Sequence, residues 1–425
     1  MPEFLHLLPP DEARKILFAA LPDPAPDSET VETLHALGRV SAEDVRAPHP
    51  LPSFPRSAVD GYAVRAADTF GASESLPAYL TLTGDVPMGA APNFTLQAGQ
   101  AALIHTGGML PEGADAVIML EYTQTVEAGC APIREIEIVR PAAPGENVLC
   151  VGEDVAEGQV VLPRGRLIRP AEIGGLMALG LGSLRVAKKP RVGILSSGDE
   201  VVPPEVEPRP GQVRDVNSYS LSALVIQAGG EAVRYGILPD RLDAIQSVAR
   251  RALDECDLVV LTAGSSASAR DLTAAAIQSL GQPGVLAHGV NVRPGKPTIL
   301  GVCNGRAVIG LPGNPVSALV IAGLFVVPLI ERLLGLPPRR PCPSVKARLT
   351  INVPSQAGRE DWIAVRLIAD GSGWLAEPIF AKSNLIFSLA AADGLVRIPP
   401  DATGLSADEM VSVEGLFATP SCGGV

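Results

Sequence analysis

Residues 192–200, VGILSSGDE, are followed by SYSLSALVIQAGG (218–230), EAVRYGIL (231–238), DRLDAIQSVARRAL (240–253), DLVVLTAG (257–264) and DLTAAAIQSLG (271–281). Short, nearly continuous apolar runs alternate with segments of helical spacing. Strands of that kind are buried on both faces, so the stretch predicts a doubly wound parallel sheet covered by helices, over about 190–336. Two further strands, PTILGV (297–302) and RAVIGLP (306–312), precede an apolar helix over 315–334.

On either side the pattern changes. AYLTLTGDV (78–86), AALIHTGG (101–108) and IREIEIVR (133–140) are short, alternating and separated by turns, which predicts a β-rich module over 53–151. Ahead of it, SETVETLHALGRVSAEDV (28–45) has a Ser/Glu start, helical spacing through Val31, Leu34 and Leu37, and a Gly38 stop, and is expected to be a short amphipathic helix. A second helix is expected from Pro170 to Leu179. Beyond Pro343 the strands VKARLTINV, DWIAVRLIA, GLVRIP and MVSVEGL predict a closing β-barrel-like domain. With Pro-rich breaks at 22–28, 47–56, 141–146 and 336–343 as boundaries, the expectation is a multidomain α/β plus β chain. Its parts are 1–52 with 152–189, 53–151, 190–336 and 337–418.

Composition narrows the function. The chain has 425 residues, 47% hydrophobic and 19% charged, with a net charge of -12, a balance that disfavours nucleic acid or anionic lipid as partner. An anionic small ligand therefore has to be held locally, by backbone N–H groups, a few cations or a metal. The six cysteines are dispersed without zinc spacing, and MPEFLHLLPPDEARK lacks a basic leader, so a reduced, cytoplasmic setting is expected. The longest apolar run, Val316 to Ile330, is read as a buried helix too short to span a membrane.

In an open parallel sheet, ligands bind beyond the carboxyl ends of the strands. Three such loops stand out. The first holds Ser196, Ser197, Gly198, Asp199 and Glu200; the second holds Thr262, Gly264, Ser265, Ser266 and Asp271; the third, Pro312-Gly313-Asn314-Pro315-Val316-Ser317, opens a helix whose free N–H groups favour an anion. Carboxylates beside a phosphate repel it unless a divalent cation intervenes, which suggests Mg2+, although Asp271 serves equally well as a helix cap. Arg293 and Lys296 flank a Pro-Gly bend, and Lys296 is one of six lysines. In the β-rich part Asp60 precedes Gly61, Thr106 precedes a Gly pair, and Glu153 and Asp154 precede Val155; each alone reads as a turn, Asp60-Gly61 as a hairpin. Neither a nucleophile elbow nor a dinucleotide fingerprint is present.

The strings SAVDGYAV (57–64), HTGGMLPEGADAVIMLE (105–121), GED (152–154), ILSSGDEV (194–201), DVNSYSL (215–221), RPGKP (293–297) and LPGNPVSAL (311–319) occur in an order that resembles the molybdopterin molybdenumtransferase family, which includes the C-terminal catalytic domain of gephyrin. The resemblance runs from about residue 10 to 415. It implies a cytosolic homodimer of four-domain subunits that inserts molybdenum from molybdate into adenylylated molybdopterin, releasing AMP with the help of Mg2+. Implied partners are the molybdopterin adenylyltransferase and apo-molybdoenzymes.

By position, the resemblance implies catalytic roles for Asp60, Thr106, Glu200, Asp271 and Lys296, with Asp271 and Asp199 toward the metal. It implies substrate-binding roles for Asp154, Ser197, Gly198, Asp199, Asp215, Asn217, Gly264, Ser266, Arg293, Pro312, Gly313, Asn314, Pro315, Ser317 and Ser383. The chain departs from the family pattern where cations are usual. Arg293 replaces a lysine, Leu149-Cys150-Val151 precede GED in place of arginines, Ala263-Gly264-Ser265-Ser266 replace G-G-V-S, and Ala274 and Ala364 stand where a lysine and an arginine are common. Two functions follow: an active transferase, favoured by the retained carboxylates, or a diverged molybdopterin carrier, favoured by the missing cations.

Overall fold

A computed structural model describes residues 7–127, 134–262, 267–337, 343–371 and 373–416, and side chains throughout except at 127 and 267–270. Chain contacts separate two units: Asp44–Pro163 with Gly174–Leu181, and the remainder.

The larger unit is built on a six-stranded sheet. Its strands are β1 (Arg191–Ser197), β2 (Glu231–Leu238), β3 (Leu258–Thr262), β4 (Pro283–His288), β5 (Ile299–Cys303) and β6 (Arg306–Leu311), in the order β2-β1-β3-β6-β5-β4. The helices are α1 (Asn217–Gln227), α2 (Leu242–Glu255), α3 (Ala267–Leu280) and α4 (Pro315–Leu333). Alternate side chains fill two cores. Val192, Ile194, Leu258, Val260 and Ile309 pack with Leu221, Leu224, Val320 and Phe325, whereas Leu195, Val259, Leu261 and Val308 pack with Ile245, Ala249, Ala276 and Ile277. The sheet is thus covered on both faces, as its apolar strands require.

The sheet is mixed rather than wholly parallel. β2, β1, β3 and β6 run parallel, but β5 is antiparallel to both β6 and β4. The cause is the turn Asn304-Gly305, at φ 53° and 80°, the Asn-Gly signature of a tight hairpin.

α4 ends within one residue of the helix expected over 315–334, and it is apolar over more than the 316–330 run that was read as too short to span a membrane. Its 19 residues suffice to cross a membrane by length and apolarity, but more than half of the helix is buried, with Ile321, Phe325, Val326 and Ile330 in the main core. One π turn, Ala322–Val326, interrupts it just before Pro328. Proline lacks the N–H that an α turn needs and crowds the carbonyl four residues back, and a wider turn relieves both.

After α4 the chain closes a five-stranded barrel from β7 (Ser344–Leu349), β8 (Glu360–Asp370), β9 (Gly373–Pro378), β10 (Gly394–Ile398) and β11 (Met410–Gly415), in the order β8-β9-β7-β11-β10 with β10 pairing back to β8. Ala347, Leu349, Val365, Ala376, Ile398 and Val413 fill it. A short strand, Val292–Arg293, joins its edge through Val292↔Glu360 and Arg293↔Asp361.

The amphipathic helix expected at 28–45 is not formed. Ser28–Glu32 is a strand paired antiparallel with Ser183–Ala187, and Thr33–Ala36 is a single 3-10 turn. Leu34 and Leu37, placed on the buried face by the helical reading, are 72% and 58% exposed. Pairing with a distant strand outweighs a weak local helical preference in a segment holding β-branched Thr30 and Val31. The second expected helix is present at Pro170–Ala178.

The smaller unit carries a six-stranded sheet in the order Ala116–Met119, Gly61–Val64, Gln100–Ile104, Ala78–Asp85, Arg134–Ile138, Thr123–Glu127, in agreement with the β-rich reading.

Candidate functional site

Register places the candidate loops of the larger unit at one end of its sheet. Ser196 stands beside Thr262, Ser197 beside Leu238, Thr262 beside Leu311, and Ile299 beside both Gly310 and His288. The segments that continue from these positions, 198–200, 239–240, 289–298 and 312–314, therefore leave the sheet at the carboxyl end of its parallel strands, where ligands are bound in such folds. Gly264 and Ser266 lie outside the described residues.

Ser197 and Gly198 are buried at the end of β1, and Asp199 is exposed beyond them. A carboxylate that the sequence reading missed joins this group. Asp240, just after β2, donates its N–H to Asp199 Oδ1 (3.2 Å), while its own Oδ1 is buried without a partner. Burial, then the charges of Asp199 and Glu200, hold the Asp240 carboxyl above the usual range, against a hydrogen bond from Ser197. The signal was available: Asp240 is the second residue beyond a parallel strand. Among the described residues no three acidic, cysteine or histidine side chains converge to hold a metal unaided. A buried carboxylate oxygen without a partner, next to the Asp199 carboxylate, nevertheless fits a hard divalent cation whose remaining ligands come from substrate and water.

Asp271 does not cap its helix. α3 begins at Ala267, which puts Asp271 one turn inside, exposed. Asp215, expected to bind substrate, is engaged within the fold. Its buried carboxylate accepts Ser196 Oγ (3.2 and 3.1 Å), Ser218 Oγ (2.5 Å) and Ser218 N–H (3.1 Å), tying the end of β1 to the first turn of α1. Asn217 donates Nδ2 to the Gly313 carbonyl at 2.8 Å, and its Oδ1 is buried without a partner.

In the 312–317 loop, Pro312 and Ser317 are buried and Pro315 is the first residue of α4. Asn314 takes the capping position but turns its amide away, to Ser383 Oγ at 3.0 Å. Ser383 also accepts the Val316 N–H, at 3.1 Å, and among the described residues the Ser317 N–H of the first helical turn keeps no partner. Such an N–H at a helix start is an anion donor. Lys296 and Arg293 are exposed on the neighbouring loop. Gly295 sits between them at φ +119°, where an added Cβ would overlap Ile321 Cγ1, so the bend packs onto α4 as only glycine allows.

In the smaller unit Asp60 forms no hairpin: its flanking strands Arg56–Ser57 and Gly61–Val64 pair with other partners. Its Oδ1 instead accepts the Thr106 N–H (2.8 Å) and hydroxyl (3.2 Å), with His105 Nδ1 at 3.4 Å. The Thr106 N–H is the main cause holding the Asp60 carboxyl below its usual range. Asp154 is exposed, and its N–H bonds to the Leu51 carbonyl at 3.0 Å.

Comparison with known proteins accounts for nearly the whole chain. The MoeA N-terminal region (domain I and II) matches residues 8–180, a probable molybdopterin binding domain matches 193–332, and the MoeA C-terminal region (domain IV) matches 346–416. A putative molybdopterin biosynthesis protein of Methanocaldococcus jannaschii is 36% identical over 96% of this chain and 98% of its own. The chain belongs to the MoeA family of molybdopterin molybdenumtransferases. Within that family, molybdopterin molybdenumtransferase 2 of Mycobacterium tuberculosis is 36% identical, with 90% of this chain and 94% of that one covered. A solved molybdopterin biosynthesis MoeA protein from Pyrococcus horikoshii superposes with a TM-score of 0.83 at 35% identity, covering 96% of this chain and all of the other.

Proposed function

We propose that this chain is the transferase itself, inserting molybdenum from molybdate into adenylylated molybdopterin and releasing AMP. The observation that carries the reading is the meeting, at one sheet end, of an unsatisfied acidic group and a helix start with a free N–H, in a chain of the molybdopterin molybdenumtransferase family.

The two halves of that site need one another. Asp199, Glu200 and Asp240 would each repel a phosphoanhydride at ~4 Å by up to about 4 kcal/mol at an effective dielectric near 20, so a cation is required between them. Mg2+ would be held by Asp199 and Asp271, with Asp240 beside them, and supplies charge neutralisation of the departing phosphate. The Ser317 N–H, the Asn314 loop and Asn217 orient the phosphate end. Lys296 and Arg293 bind oxyanion, with Arg293 taking the place of the family lysine. Asp215 acts indirectly, by fixing Ser196, and Ser383 by fixing Asn314. Gly264 and Ser266 belong to the same loop set by resemblance. Asp60 and Thr106 are assigned catalytic roles and Asp154 a substrate-binding one on the same resemblance.

The reading includes a cytoplasmic homodimer with a four-part subunit of the boundaries given above. It takes its substrate from a molybdopterin adenylyltransferase and passes its product to apo-molybdoenzymes.

The test is AMP release from purified protein given adenylylated molybdopterin, molybdate and Mg2+, scored with reconstitution of a cofactor-free molybdoenzyme. Both should occur, and Asp271→Asn should cut AMP release by about a hundredfold or more. Tight pterin binding without AMP release would mean a carrier, and unchanged turnover in Asp271→Asn would remove that residue from the site.

A further inference from the structure

The first two residues of β8 are acidic and buried: Glu360 is 3% exposed and Asp361 not at all. Carboxylates are almost never buried unless paired, and each has an arginine. Glu360 takes Arg397 at 2.6 and 2.8 Å and the Trp362 indole N–H at 2.8 Å, all within the barrel wall. Asp361 is arranged differently. Arg359 binds it through both oxygens, at 2.6 and 2.9 Å, and a second guanidinium, that of Arg293, approaches at 3.9 Å.

Arg293 reaches this position by backbone register. The strand Val292–Arg293 pairs in parallel with Glu360 and Asp361, the Glu360 N–H bonds to the Asn291 carbonyl at 3.2 Å, and Asn291 Nδ2 donates to Gly358 O. The barrel therefore grips the loop that carries both candidate oxyanion cations. At 3.9 Å the Arg293–Asp361 pair is an attraction without a hydrogen bond, among the described residues no hydrogen bond takes up a guanidinium N–H of Arg293, and its side chain is 63% exposed. Two guanidiniums share one carboxylate, which leaves a net positive charge at this edge of a chain whose total is -12.

We propose that Asp361 is a positioning residue for the reaction. Its buried carboxylate, anchored by Arg359, holds the Arg293 guanidinium in place beside the barrel without consuming its donors, so that Arg293 meets the oxyanion substrate already oriented. This rests on the assignment of Arg293 to oxyanion binding made above. Pre-orientation of a long side chain lowers the entropy lost on binding, so it acts on oxyanion affinity rather than on the chemical step.

The experiment is a double-mutant cycle on the full chain, with Asp361→Asn, Arg293→Gln and both together. KM for molybdate, kcat for AMP release and melting temperature are measured in each. Arg293→Gln and Asp361→Asn should each raise KM roughly tenfold, the size of a ~1.4 kcal/mol coupling between neighbouring charged groups, with kcat little changed. In the Arg293→Gln background, Asp361→Asn should add no further rise in KM, while still lowering the melting temperature because Arg359 loses its partner. Glu360→Gln serves as the control that lowers the melting temperature and leaves KM alone. Asp361→Glu, which keeps the charge, stands in if Asp361→Asn does not fold and should raise KM only in the presence of Arg293. Independent, multiplying effects of the two substitutions, or an equal KM rise in Glu360→Gln, would overturn the positioning role. No KM change in Arg293→Gln would overturn the assignment beneath it.

Discussion

At the scale of single residues, the candidate carboxylates differ in how the fold treats them. Asp60 is stabilised as an anion by the Thr106 N–H, whereas Asp240 is pushed toward its neutral form by burial and by Asp199 and Glu200. The sign of a pH effect follows for Asp60. Because its folded pKa lies below the reference of 3.8, its contribution to stability is present above that pH and is lost as pH falls through the lower folded value. Asp60→Asn should therefore be slightly less stable than the parent at neutral pH, and the gap should close on acidification, as read by urea melts across pH 2–7. Its AMP release at neutral pH should fall far more than its stability, and retained turnover would remove Asp60 from the chemistry. That Asp60 anchors Thr106 was hidden in the sequence, because Asp-Gly is also the commonest hairpin signal and only strand pairing tells the two apart.

At the scale of elements, loops are fixed by the helices they rest on. The Pro294-Gly295-Lys296 bend is sealed by Gly295 against Ile321 of α4, and the Thr298 hydroxyl closes it by donating to the Gly295 carbonyl at 2.6 Å. Gly295→Ala meets both a φ of +119° and an occupied space. A loss of about 2–4 kcal/mol is expected in chemical denaturation, with Lys296 and Arg293 displaced and oxyanion affinity reduced alongside. An alanine tolerated at parental stability would show that the bend is free to move off α4. The start of α3 is the other case in point. The string DLTAAAIQSL suggests a helix capped at Asp271, yet the helix begins at Ala267, so that carboxylate is released from a capping duty.

At the scale of the whole molecule, the links that join the covered sheet to the closed barrel in the larger unit include two at the candidate site: the Val292–Arg293 strand on β8, and Ser383 on the start of α4. Both links end at proposed substrate residues, so the barrel acts as a brace for the site. Elsewhere, Leu34 and Leu37 lie exposed on the single chain. Light scattering at micromolar concentration should give twice the 44.0 kDa of one chain, and a monomeric mass would count against the proposed homodimer.

Hydrophobic period determined much of this protein from the chain alone. Continuous apolar strands such as DLVVLT and alternating ones such as VKARL separate the covered sheet from the barrel, because burial on two faces or one is written directly into side-chain polarity. The order of short strings was enough to mark the family. Tertiary structure alone decided the rest. Ser28–Glu32 became a strand through a partner more than 150 residues away. Asp240 came to Asp199, and Asp361 to Arg293, through strand register. Local propensity is a matter of tenths of a kcal/mol per residue, while pairing and burial act over whole segments. Where the two disagree, the long-range terms prevail, and the charges they bring together are those from which the site is built.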